Sequence, residues 1–170
     1  GVYTEESGQD ERLVPFFSYD ELFGTVLNRF IAQAVVGYPL TVYGAGGQQR
    51  GFLNIMDTLQ CVRLALDSPA SGGELRIFNQ FTETFSVNAL AEQVQRVGGD
   101  LGLNVAVQQL ANPRKEAEEH YYNPQHTGLL DLGLEPHYLT DERLAGMLRY
   151  VQGHAERIAE HRIFRGTKWA

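Results

Sequence analysis

One cysteine, Cys61, is all that this chain of 170 residues contains. An internal disulfide framework is therefore excluded, and a reducing compartment fits. Long apolar runs are missing too, since none approaches the ~20 residues that a bilayer span requires. The opening "GVYTEESGQDE" is acidic and turn-rich, which is not the chemistry of a secretory or transit leader. Positive charge is scarce, with a formal net charge of −7. That argues against nucleic acid as a partner, because a phosphate backbone repels an acidic surface. A local cationic pocket for one small anionic ligand remains compatible with it.

Several chemical signatures are also absent. No G-x-G-x-x-G occurs: in "GAGGQQRG" the third glycine position is Gln49. No G-x-x-x-x-G-K-[ST] occurs either. None of the eight tyrosines has a lysine four residues on, so a Tyr-x-x-x-Lys hydride-transfer pair is missing. The five histidines show no H-E-x-x-H or other metal-ligand spacing. Cys61 lies within an amphipathic helical pattern, where a buried structural thiol is expected rather than a nucleophile.

What is present is the 43% hydrophobic content of one soluble domain with a sizeable core. Helical and strand patterns alternate, which gives the α/β class. Residues 1–18 read as a loop. Ser18, with Glu21 three residues on, has the form of a capping box, opening a helix that Gly37 and Pro39 end. "LTVYG" and "GFLNI" read as short strands, and "MDTLQCVRLALDSP" as a helix. "ELRIFNQF" is the best strand pattern in the chain. Ser86 is placed to cap "VNALAEQVQRVGG", and "LNVAVQQL" returns as a strand. "TGLLDLGLEP" reads as a short helix ended at Gly133, and Thr140 as the cap of "DERLAGMLRYVQGHAERIAEHR".

The candidate ligand groups are cationic and local. Arg50 follows a glycine-rich turn; Gly46 and Gly47 permit close backbone approach, and Gln48 and Gln49 add amide donors. A guanidinium fork there suits the oxygens of a diphosphate. The alternative is a solvated loop arginine. In "NPRKEAEEHYYN", Pro113 fixes the backbone ahead of Arg114, and His120, Tyr121 and Tyr122 offer hydrogen-bonding groups. There the alternative is a solvated helix start on which Arg114 and Lys115 pair with the neighbouring glutamates. Asn79 stands at the end of the "RIFN" strand pattern, where open α/β sheets bind ligands, or else forms a turn.

"PLTVYGAGGQQRGFLNIMDTLQC" resembles the substrate-binding part of the extended short-chain dehydrogenase/reductases, the nucleotide-sugar epimerase and dehydratase superfamily. The resemblance implies that Thr41, Val42 and Tyr43 lie along the nucleotide base. It implies that Arg50 and, from the proline-flanked motif, Arg114 hold the diphosphate. Asn79 matches a strand-end asparagine of the family, and "LGLEPHYLTDERL" its turn into the last helix. Gln49 and Arg29 in "LNRF" are further substrate-contact positions, Arg29 reaching the sugar or being otherwise a helix-surface arginine, and His120 is a position for placing the sugar or the sulfite. "FNQFTETFSVN" and "NPRKEAEEHYYN" resemble a narrower subgroup that joins sulfite to UDP-glucose.

For that subgroup the resemblance implies bound NAD, oxidation of the sugar 4-hydroxyl, loss of water, addition of sulfite at C6 and return of the hydride to C4. The NAD fingerprint and the Tyr/Lys pair do not occur here. Residues 1–170 are therefore expected to be a C-terminal nucleotide-sugar-binding portion without the Rossmann nucleotide-binding core. No catalytic residue, bound cofactor or metal is expected within it, and the portion by itself is expected to be inactive. The resemblance further implies a homodimer for the complete protein, no membrane or nucleic-acid partner, and the cytoplasm or plastid stroma as compartment. The alternatives are another nucleotide-sugar epimerase or dehydratase, or a non-catalytic module that binds a nucleotide sugar or a partner.

Overall fold

A computed structural model describes residues 6, 9–13, 17–20, 23–111 and 127–163. They form a mixed helical and sheet structure that divides into two compact units. The first takes Gly1–Gly47, Val87–Lys115 and Thr140–Ala170, and the second Gln48–Ser86 and Glu116–Leu139.

In the first unit, helices α1 (Val26–Val35), α3 (Val87–Asp100) and α5 (Asp141–Gln152) pack against one another in pairs. Strand β1 (Leu40–Tyr43) lies against α1 and α3, paired in parallel with β4 (Val107–Leu110). The core is apolar: Phe30, Ile31, Leu40, Val42, Leu90, Val94, Leu144 and Leu148 have no accessible surface.

The start of α1 corrects the capping-box expectation. Thr25 is the N-cap, with its hydroxyl accepting from Asn28 N at 3.2 Å. Asp20, two residues after Ser18, instead closes a turn of its own. Its Oδ1 accepts from Phe23 N at 2.8 Å and its carbonyl from Gly24 N at 2.9 Å. A side chain at Gly24 would collide with the Asp20 carbonyl, so the chain enters the helix only after this turn. The other end is as expected. Gly37 adopts φ +72°, and the amides of Gly37 and Tyr38 return to the carbonyls of Ala34 and Gln33, closing a Schellman motif.

In the second unit, β2 (Gln49–Phe52) pairs antiparallel with β3 (Glu83–Ser86), and α2 (Ile55–Asp67) and the short α4 (Gly128–Asp131) complete it. Asn54 caps α2 by accepting from Met56 N at 2.9 Å, so the strand expected over "GFLNI" ends before Ile55. Cys61 is buried among Leu129, Leu134, Leu64 and Phe78, and burial pushes its thiol pKa up, with the Asp57 charge adding to the effect. The structural role expected of it holds.

"ELRIFNQF" is not a strand in the structure: residues 74–80 have no ladder partner, and pairing begins at Glu83. The alternation that suggested a strand is nonetheless real. Arg76 and Phe78 are half-buried, with Arg76 donating to Ser68 O at 2.7 Å, while Leu75 and Ile77 are 83% and 79% exposed. Periodicity specifies an extended chain with two faces, but a strand also needs a neighbour to receive its backbone hydrogen bonds. At the C-terminus, α5 starts at its Thr140 cap but stops at Gly153, before two short helical turns, Ala155–Arg157 and α6 (Glu160–Ile163).

Candidate functional site

Arg29, Thr41 and Tyr43 come together in the first unit. The Arg29 guanidinium lies 5.3 Å from the centre of the Tyr43 ring, and its Nη2 donates to Thr41 O at 3.2 Å. Stacking on an aromatic face is a usual setting for arginine. Thr41 is buried and committed inward. Gln33 Nε2 donates to its hydroxyl at 2.9 Å, while Thr41 N donates to Gln33 Oε1 at 3.2 Å. Its side chain therefore fixes the strand, and Tyr43 at the strand end is half-buried.

The glycine turn after β1 serves two purposes. Gly46 adopts φ +72°, and the space a side chain there would need is filled by Asn88. Asn88 Nδ2 donates to Ala45 O at 2.9 Å and Asn88 N to Gly46 O at 3.0 Å. Close approach at Gly46 is thus used within the chain, by the start of α3. Gly47 has nothing within 4 Å of where a Cβ would stand, so backbone approach stays open there.

In the second unit, Gln49 and Arg50 are exposed neighbours on β2 and so project from opposite faces of the strand. Arg50 Nη1 donates to Gln49 O at 2.9 Å. Asn79 is exposed at the end of the extended 74–80 segment. Arg114 and His120 lie outside the described residues. Among the described residues, no three His, Cys, Asp or Glu side chains are grouped to hold a metal ion.

Two arrangements had no sequence signal. Asp57, fully buried on α2, accepts from His137 N at 2.8 Å and from Gln60 Nε2 at 3.2 Å, and its Oδ1 meets His137 Nδ1 at 2.5 Å. Gln60 also exchanges hydrogen bonds with the backbone of Glu135. One helix turn thereby clamps the "LEPH" segment, from positions about 80 residues away that no local pattern connects. The second arrangement is a cavity of about 410 Å³ in the first unit, lined in part by Tyr19, Tyr150, His154, Arg157 and Arg162.

Residues 15–79 match the model of the NAD dependent epimerase/dehydratase family. The chain is 53% identical, over 99% of its length, to UDP-sulfoquinovose synthase, chloroplastic, of Spinacia oleracea, and covers 35% of that protein. It is 44% identical, again over 99% of its length, to UDP-sulfoquinovose synthase of Sulfolobus acidocaldarius, and covers 43% of that protein. The chain thus spans well under half the length of these two curated relatives. Its fold corresponds to part of solved epimerase and dehydratase structures. UDP-glucose 4-epimerase of Thermotoga maritima, solved with UDP-glucose, superimposes on 82% of the chain with a TM-score of 0.63, at 19% identity, and 43% of that protein is covered.

Proposed function

We propose that this chain is the substrate-binding part of a UDP-sulfoquinovose synthase, which makes UDP-sulfoquinovose from UDP-glucose and sulfite with bound NAD. The observation that carries the reading is identity of 53% and 44%, across 99% of the chain, to proteins of that name from a plant and an archaeon. The diphosphate is held by Arg50 from β2 and by Arg114, and the base lies along β1, with Tyr43 at its end. Gln49, Asn79, Arg29 and His120 supply the remaining contacts to the ligand.

NAD does not fit the residues of this chain. The third glycine of the dinucleotide turn is replaced by Gln49, and no Tyr-x-x-x-Lys pair is present. In this reading, the cofactor and the proton-transfer groups belong to the additional length of the relatives, and the chain contributes binding and orientation of the sugar nucleotide.

The outward surface of the second unit supports the same division. Helix α2 buries Asp57 and Cys61, yet exposes Leu59, Val62 and Leu66 at 59%, 50% and 74%. Leu75 and Ile77 are exposed as well. Apolar surface on both sides of a helix calls for a covering layer, which the cofactor-binding part supplies in this reading. The complete protein is taken to be a homodimer, in the plastid stroma of a plant or alga or the cytoplasm of a bacterium.

Two experiments test the proposal. Calorimetry of the chain with UDP is expected to show saturable binding that Arg50→Ala weakens about tenfold or more, the effect of losing one charge-assisted contact of roughly 1.5–3 kcal/mol. A folded chain that gives no heat with UDP would sink the binding-site assignment. A chimera carrying this chain in place of the matching stretch of the spinach enzyme, given UDP-glucose, NAD and sulfite, is expected to yield UDP-sulfoquinovose. UDP-galactose as sole product would point to an epimerase instead.

A further inference from the structure

The cavity in the first unit is built from the loop at residues 17–20, the end of α5 and the two short helical turns after it. Its lining divides by chemistry. Phe17, Tyr19, Tyr150 and Ile158 provide aromatic and apolar surface, while Arg157, Arg162 and His154 provide nitrogen donors. Two arginines face one carboxylate, Asp20, so the lining is net positive in a chain whose formal charge is −7.

The walls are held by specific bonds. Tyr19 Oη accepts from Ala159 N at 2.8 Å, tying the loop to the opposite wall. The rings of Tyr150 and His154 lie 4.9 Å apart and form one aromatic shelf. His154 Nδ1 stands 2.9 Å from Tyr150 O. A carbonyl can only accept, so Nδ1 carries the proton and Nε2 is the nitrogen left to meet a ligand. Arg157 Nε is 3.4 Å from Glu156 Oε1, with both side chains largely exposed. Such a pair is weak in water, and an anion that matches the guanidinium fork can displace it. Asp20 is turned to its own backbone, accepting from Phe23 N.

We propose that this cavity binds a small organic anion. Its ring or short apolar body lies against Tyr19, Tyr150 and Ile158, and its phosphate, sulfate or carboxylate group sits between Arg157 and Arg162. A volume of about 410 Å³ falls in the range of small-molecule sites. None of the residues assigned to the sugar nucleotide lines the cavity, so this inference stands or falls apart from that reading.

The test is titration of the full chain with phenyl phosphate, followed by heat and by the ring-proton resonances of His154. Saturable binding is expected, with a shift at His154 and a loss of about tenfold or more in affinity in the Arg157→Gln/Arg162→Gln variant. Both arginines are exposed, so the double variant is expected to keep its circular dichroism spectrum. Should it not fold, the unaltered protein decides, because binding without a His154 shift overturns the proposal. Absence of saturable binding, or affinity unchanged in a folded double variant, overturns it equally. Inorganic phosphate binding as tightly as phenyl phosphate would overturn the role given to the aromatic wall.

Discussion

Asp141 shows how much one exposed carboxylate is controlled by its partners. It opens α5, where a negative charge suits the helix dipole, and reaches across to α3. Arg96 Nη2 donates to it at 2.9 Å and Gln93 Nε2 at 3.1 Å. The hydrogen bond from Arg96, and after it that from Gln93, hold its pKa down at about 2 against an ordinary 3.8. A depressed carboxylate contributes stability above the unfolded value and loses it as the pH falls towards the folded one. The contribution is therefore present above pH 3.8 and fades towards pH 2. Arg96→Gln is expected to return the Asp141 titration, followed by carboxyl-carbon NMR, most of the way to 3.8; a midpoint still near 2 would show that Arg96 is not the cause. Arg50, by contrast, is exposed and donates to the backbone of its neighbour Gln49.

At the scale of elements, the competition at the start of α1 is open to a paired test. Thr25→Ala removes the hydroxyl that accepts from Asn28 N and is expected to cost about 1 kcal/mol, seen as a fall of roughly 2–4 °C in melting temperature. Ser18→Ala leaves intact the Ser18 carbonyl to which Asn28 Nδ2 donates at 3.0 Å, so little change is expected. A larger loss from Ser18→Ala would restore the capping box read from sequence. The cap at Thr140 and the stops at Gly37 and Gly133 were legible because each depends on residues within one turn. The clamp of Asp57 on His137 was not, because both partners look ordinary until the fold brings them together.

For the molecule as a whole, the decisive feature is apolar surface facing outward on α2 and on residues 74–80. The isolated chain is expected to self-associate or to have low stability, since hydrophobic surface of this kind drives association. Sedimentation velocity is expected to show concentration-dependent oligomers, which Leu59→Glu/Leu66→Glu reduces to monomer. A monomer at low concentration with a sharp cooperative melt would contradict this. The same surface explains why "ELRIFNQF" misled as a strand: its pattern describes the faces of an extended chain, and a ladder depends on what lies beside it.

Local chemistry in the sequence was enough to determine the α/β class, most helix ends, the buried role of Cys61 and the glycine turn leading to Arg50. Tertiary structure alone decided which residues meet. It turned Thr41 inward to Gln33, laid Arg29 on Tyr43, filled the space beside Gly46 with Asn88, and gathered Tyr19, Tyr150, Arg157 and Arg162 around one cavity. The reason is one of range. Capping, periodicity and turn preference act over a few residues and can be read in order along the chain. Burial and pairing join positions tens of residues apart, and their energies exist only once the fold has closed the distance.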